Sequence, residues 1–244
     1  MHKDTIGQTE FIFRRVDSPD LLEEVFRLRY QVYCKECNFI KEEDYPDSIE
    51  KDKYDPHSVH FVAEDPYGII GTVRLILDSP YKFPFEEHCN DKLTVDIDSL
   101  PRGKAAEVSR LVISKNYRRR TDDGLYYTPD FNDKVTGVDI ADITKRIRPI
   151  AFGIYREIYQ ECKRRGITHW FAIMEKSLWR LLYMHSFIFK PIGEEVDFYG
   201  MVTPYLASIE EIERAFYKKS PQFAAEYFFD GLEPQYRSSF IANL

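Results

Sequence analysis

The sequence predicts a single domain of mixed α/β (mixed α+β) class. Three observations predict it. Stretches such as EFIFRRV, SVHFVAE and IIGTVRLILD are rich in β-branched and aromatic residues, and EFIFRRV alternates apolar with polar. Other stretches place apolar residues at helical spacing. The two kinds are interleaved along the chain, with no internal repeat and no clear linker.

Residues 10–16 are the first expected strand. SPD then opens a helix, with Ser18 as N-cap, Pro19 in the first turn and Glu23 and Glu24 following. Leu22, Val25, Phe26, Arg29, Val32 and Tyr33 recur at helical spacing, which carries this helix to about Cys37. Residues 41–57 form a polar, acidic loop. SVHFVAE and IIGTVRLILD, joined by DPYG, read as an antiparallel hairpin. In its second strand Ile70, Thr72, Arg74 and Ile76 share a face. Residues 79–104 read as irregular, and 105–114 as a strand. A long polar insertion follows, at about 115–146, and loops of that length in compact domains are usually functional or disordered. A helix is expected from about Arg148 to Arg165, with Pro149 in its first turn, Gly166 as its stop and Ile147, Ile150, Ile154 and Ile158 as its buried stripe. ITHWFAIME reads as a strand, KSLWRLLYMHSF as a helix, and FKPIG and MVTPYLASI as strands. Ser208 with Glu211 forms a capping box opening a helical C-terminal extension from about 208. The Phe- and Tyr-rich end is expected to pack back on the body. The whole span 1–244 reads as one domain.

The totals exclude several function classes. Hydrophobic residues make up 43% and charged residues 31%, which fits a globular protein with a sizeable core. No segment approaches the roughly 20 apolar residues of a membrane span, and the N-terminus carries no apolar signal region, so a cytoplasmic protein is expected. The net charge of −7 argues against nucleic-acid binding by the chain as a whole. Its basic residues cluster nonetheless, at Arg118-Arg119-Arg120, Lys145-Arg146-Arg148 and Lys163-Arg164-Arg165. Such patches on an acidic chain suit an anionic partner. Cys34 and Cys37 form a lone C-x-x-C, which reads as two reduced thiols on one helix; a zinc site would have to recruit His57 and His60, and no metal is expected.

AAEVSRLVIS, residues 105–114, poses the chemical question. It reads as a buried strand, yet it carries Glu107, Ser109 and Arg110. Burying a carboxylate or a guanidinium is costly without a partner or a ligand. Arg29 and Arg74 pose the same problem on the first helix and in the hairpin.

These residues, in this order, resemble the autoinducer-synthase and N-acyl amino acid synthase branch of the GNAT acyltransferase fold, and the resemblance implies a central twisted mixed sheet with helices on both faces. Acyl-homoserine lactone synthases carry an arginine with aromatics four and ten residues on, matched by Arg29, Tyr33 and Phe39. Two aspartates three apart are matched by Asp52 and Asp55, a glycine-x-x-arginine strand by GTVR with Arg74, and glutamate-x-serine-arginine by Glu107, Ser109 and Arg110. The resemblance covers roughly residues 20–190. Exosortase-associated (PEP-CTERM system) acyltransferases are similar in pattern and size. There are departures: the family's tryptophan is Phe39, its phenylalanine is Tyr33, and SKNYRRRTDDG stands where acetyltransferases have a glycine-rich loop for the CoA pyrophosphate.

The resemblance implies N-acyl transfer, with no bound cofactor, from an acyl carrier protein thioester (or acyl-CoA) to the amine of an amino acid or similar small molecule. Glu107 is the candidate base, directly or through water, or else a structural partner of an arginine. Ser109 is the candidate proton donor to the thiolate, or else bonds nearby backbone. Arg110 would face the opposite side from both unless a bulge intervenes. Asp52 and Asp55 are candidates for the acceptor's ammonium group and, by resemblance, network with Arg29. Arg29 or Arg74 could grip a substrate carboxylate, and Tyr33, Phe39 and Arg110 complete the substrate-binding candidates. The basic patches Arg118, Arg119, Arg120, Lys145, Arg146 and Arg148 would receive the acidic carrier protein. The missing glycine loop argues against acetyl-CoA, and Phe39 and the insertion argue against S-adenosylmethionine. The rivals are a CoA-dependent N-acetyltransferase, a non-catalytic acyl-binding protein and a purely structural charge network.

Overall fold

A computed structural model describes residues 1–6, 9–97, 102–114 and 140–242, with 140–149 as backbone only. The chain divides into two compact units, one of residues 1–53, 60–73 and 110–155, the other of 54–59, 74–109 and 156–244.

The first unit is built on antiparallel strands. β1 (His2–Ile6) pairs with β2 (Thr9–Arg15) from His2↔Phe13 to Ile6↔Thr9. β2 pairs with β3 (Ser58–Asp65) from Ile12↔Glu64 to Arg15↔Phe61. β3 turns into β4 (Gly68–Ile76) through a tight corner where the Tyr67 N–H donates to Asp65 Oδ1 at 2.8 Å. Gly68 follows with φ +137, a conformation that side chains disfavour. The hairpin expected from DPYG is therefore present; β1 was not expected.

Helix α1 (Pro19–Tyr30) starts as its sequence dictates, with Ser18 Oγ accepting the Leu21 N–H at 3.3 Å. Its Leu21 and Val25 pack on Val62 of β3, with Val16, Phe26 and Ile69 around them. After Tyr30 the helical run continues to Glu36 in π geometry, and the Cys37 N–H reaches back to Val32 O at 2.9 Å. A π turn changes which side chains share a face, and such turns are frequent at functional sites.

The second unit holds the parallel step of the sheet. β5 (Ala105–Ile113) runs beside β6 (His169–Met174) from Ala105↔His169 to Glu107↔Phe171. Parallel strands need a crossover, and here it contains helix α3 (Ile140–Arg165). α3 begins earlier than Pro149 suggested. Ile140, Ile143 and Ile147 extend the apolar period upstream, so Pro149 sits inside the helix, not in its first turn. Gly166, φ +69, ends it as expected. β6 pairs along its whole length with antiparallel β9 (Met201–Ser208), which also takes the short β7 (Lys190–Pro191) and β8 (Val196–Asp197).

The stretch 79–104 is more ordered than expected. It contains a short helix, α2 (Pro84–His88), opened by Pro84 and by Glu86 Oε2 accepting the Phe83 N–H at 2.6 Å. Phe83 and Phe85 join Tyr54, Ile76, Ala105, Phe171 and Ile192 in one buried cluster. α4 (Lys176–Met184) is shorter than expected, because the chain turns through Ser186 at φ +73. The C-terminal extension is helical: α5 (Ile209–Lys219), capped by Ser208 Oγ, then α6 (Pro221–Phe229) and α7 (Ser239–Ala242). It packs on α3, with the Tyr159 and Phe228 ring centroids 4.4 Å apart and Arg156 paired with Asp230 at 2.6 Å. Among the described residues, no helix is long and apolar enough to cross a membrane.

Candidate functional site

In the second unit, β5 places Ala105, Glu107 and Ser109 on one face by simple alternation. Glu107 is buried, and its Oε2 accepts the Phe85 N–H of α2 at 3.1 Å. Its partner across the ladder is Phe171, and the Phe85 ring stacks on Phe171 with centroids 4.3 Å apart. Cys89, at the end of α2, is buried as well. Burial pushes its thiol up to about 11, and the charge on Glu107 adds to the shift.

Arg74, from β4, is also buried. Its Nη1 donates to Asp55 Oδ1 at 2.8 Å and its Nε to Ser109 Oγ at 3.0 Å, and its guanidinium carbon lies 5.7 Å from the centre of the Tyr54 ring. Ser109 thus accepts from an arginine. A hydroxyl that accepts a charged N–H keeps its own proton to donate, and is made more acidic by the contact.

The ladder with β6 ends at Glu107, while β5 continues to Ile113 and β6 to Met174. Just past that point the backbone of β5 takes a left-handed step at Arg110, φ +53, rare for a residue with a side chain. Alternation lapses there, and Ser109, Arg110 and Leu111 are all half-buried in sequence. The facing of Arg110 is therefore not set by simple alternation from Glu107 and Ser109. Such strain clusters at functional positions.

The first unit holds a separate charge cluster, centred on Glu50. This side chain is fully buried. Its Oε2 accepts from Arg29 Nε, and its Oε1 from Arg110 Nε at 3.2 Å and Nη2 at 3.0 Å. Arg110 Nη2 also donates to Asp52 Oδ2 at 3.2 Å. The Arg110 guanidinium carbon lies 5.5 Å from the centre of the Tyr33 ring, and the Tyr33 and Phe39 rings are 6.2 Å apart. Burial alone would raise the Glu50 carboxyl; the charges of Arg110 and Arg29 and their hydrogen bonds outweigh it and hold the group below its ordinary value. Burial would likewise lower Arg110, but Glu50 first, then Tyr33 and Asp52, raise it.

The candidate residues therefore fall into two sets. Asp55, Arg74, Glu107 and Ser109 belong to the second unit; Arg29, Tyr33, Phe39, Asp52 and Arg110 belong to the first. Asp52 and Asp55 meet different arginines, and Asp52 is linked to Arg29 through Arg110 and Glu50. Asp55 is the buried counter-ion of Arg74, whereas Asp52 pairs with Arg110 and keeps its carboxylate one-quarter exposed. The partner seen on Arg29 is Glu50, which sequence reasoning passed over. A signal existed: arginines on apolar elements demand buried carboxylates, and the acidic loop 41–57 was their nearest supply. The run Lys163-Arg164-Arg165 is committed internally, to Glu213, Glu233 and Glu161 at 3.1, 3.0 and 2.6 Å. Arg118, Arg119 and Arg120, within the expected insertion, lie outside the described residues, as do the side chains of Lys145, Arg146 and Arg148.

Comparison with known proteins gives the fold. The family described as acetyltransferase (GNAT) domain matches residues 28–126. Among solved structures, the chain is similar to the acyl-homoserine lactone synthase LasI, at 14% identity and TM-score 0.60, over 86% of this chain and 96% of LasI. It is similar to BjaI, a CoA-dependent acyl-homoserine lactone synthase solved with SAM and isopentyl-CoA, at 17% identity and TM-score 0.60, over 96% and 98% of the two chains. FeeM, an N-acyl amino acid synthase from uncultured soil microbes, matches at 12% identity and TM-score 0.54, over 85% and 95%. No curated protein matches. The fold is GNAT-like, mixed α/β, as the sequence order predicts.

Proposed function

We propose that the protein is an N-acyltransferase that moves a medium-to-long fatty acyl group from an acyl carrier protein thioester to the amine of an amino acid or similar small molecule. The observation that carries this reading is the position of Glu107. It is a buried carboxylate at the point where the parallel ladder ends, two residues from a serine hydroxyl held by a buried arginine.

The chemistry follows from these groups. The amine nitrogen attacks the thioester carbonyl, and Glu107, directly or through a water, takes the proton it loses. The C–S bond then breaks, and the Ser109 hydroxyl, polarised by Arg74, gives a proton to the departing thiolate and is reprotonated, through water, by the proton that Glu107 took from the amine. Backbone N–H groups of β5 past Glu107, where the ladder with β6 has ended, are the candidates to polarise the carbonyl. The likeness to FeeM favours an amino acid as the acceptor.

For the donor, α4 offers a surface. Lys176, Arg180, Tyr183 and Met184 are exposed at helical spacing, so positive charge and apolar side chains share a face. An acidic carrier protein fits such a face. A free acyl-CoA donor is the second reading, favoured by the likeness to BjaI.

The test is free-thiol release by the purified protein, with long-chain acyl carrier protein, the matching acyl-CoA and acetyl-CoA offered in turn with a pool of amino acids. Release greatest with the carrier protein and dependent on added amine is the expected result. Release from acyl-CoA alone would replace the donor, and no release from any thioester would overturn the activity.

A further inference from the structure

Glu107 is held by an element that the proposed chemistry does not use. The stretch from Asp78 to Glu86 leaves β4, runs past Tyr81 and enters α2, and one side chain fastens it at several points. Arg102 Nε donates to Asp78 Oδ1 at 3.0 Å, Nη2 to the Tyr81 carbonyl at 2.9 Å and Nη1 to Glu86 Oε1 at 2.6 Å. Its guanidinium carbon lies 5.0 Å from the centre of the Phe83 ring. Glu86, itself buried, uses its other oxygen to accept the Phe83 N–H at 2.6 Å. The carboxylate thus ties the arginine to the backbone at the start of α2.

That backbone is what meets Glu107. Phe85 contacts the β5–β6 ladder at two points: its N–H donates to Glu107 Oε2 at 3.1 Å, and its ring stacks on Phe171, the residue opposite Glu107, at 4.3 Å. An N–H bonded to a carboxylate both orients it and favours its charged form. A fork that satisfies a carboxylate, a second carboxylate and a carbonyl at once is a task for arginine, not for the point charge of lysine.

We propose that Arg102 and Glu86 are positioning residues, a clasp that sets the Phe85 N–H against Glu107 and so fixes the orientation of the proposed base. The role rests on the acyl-transfer reading; the geometry of the clasp does not.

Two measurements test it. In turnover, Arg102→Ala and Glu86→Gln lower kcat by about tenfold with donor KM little changed, a fraction of the ~10²-fold that a misplacement of about 1 Å costs. Arg102→Lys restores only a small part of the loss. In the ¹⁵N-phenylalanine-labelled protein, the Phe85 amide proton, identified by its absence in Phe85→Leu, moves upfield in Glu107→Gln, as a bond to a charged acceptor is lost. It moves in the same direction in Arg102→Ala while the melting temperature stays close to the parent's. A Phe85 amide that stays in place in Arg102→Ala, or a loss of turnover that only follows a fall in melting temperature, overturns the clasp. If the parent releases no thiol from any donor, the acyl-transfer reading falls, and the amide shift still decides whether the clasp sets Glu107.

Discussion

Glu50 and Glu107 are both buried carboxylates, and the two units treat them oppositely. Glu50 is met by two guanidinium groups, with a second acid, Asp52, sharing one of them. Glu107 accepts the Phe85 N–H, and its partner across the ladder is Phe171. A carboxylate between two arginines is held ionised and makes a poor base. The Glu107 carboxylate accepts from a neutral amide N–H, and it is the group proposed above to take the proton. The first arrangement suits the joining of α1, the acidic loop and Arg110 within its unit; the second suits chemistry.

The comparison can be broken by substitution, and the largest effect belongs to the structural partner. Glu50→Ala leaves Arg29 fully buried without this counter-charge, and breaking a buried pair from one side costs roughly 3–5 kcal/mol. Urea unfolding checks this, and a loss below about 1 kcal/mol would mean that the pair behaves as a surface one. The reciprocal test in the other unit is Ser109→Ala, which removes the oxygen that accepts from Arg74. A hydrogen bond to a charged group contributes about 1.5–3 kcal/mol, so a loss in that range is expected in the same assay.

Acid sharpens the contrast. Glu50 in the folded protein titrates below its ordinary value. Its contribution to stability is therefore complete above the unfolded carboxylate range, near about 4.3 for glutamate, and is lost as pH falls through the lowered folded value. The urea midpoint of the parent should drop below about pH 4, and the curve of Glu50→Gln should be flatter over that window. Parallel curves would show that Glu50 does not titrate with folding. The smallest effect is local: Ser18→Ala removes the cap of α1 at a cost of about 1 kcal/mol, again by urea unfolding.

Much of this was legible in the chain. Ser18, Gly166 and Ser208 announce helix ends because capping and left-handed backbone need particular residue types, and each performs that task here. Arg29, Arg74 and Glu107 announced buried charge because they stand in apolar elements. Their pairing was not legible, since it depends on where a loop crosses in space. Asp52 and Asp55 are three apart in sequence and serve different arginines, and Glu50 looked like one acid among many in 41–57. The left-handed backbone at Arg110 was beyond the pattern as well, because such a residue leaves no mark when it is not glycine. Helix α2 hid among prolines, one of which, Pro84, proved to be its first residue.

The central claim is that one buried glutamate is for chemistry and the other for structure, and the most direct measurement sets Glu107→Gln beside Glu50→Ala. Thioester-dependent turnover and unfolding free energy are measured on both. The account predicts that Glu107→Gln, which keeps an oxygen for the Phe85 N–H, loses roughly 10²–10⁴-fold in turnover while its stability shifts by no more than about 1 kcal/mol. Glu50→Ala should lose its stability and retain most of its turnover per folded molecule. Full turnover in Glu107→Gln would contradict the account.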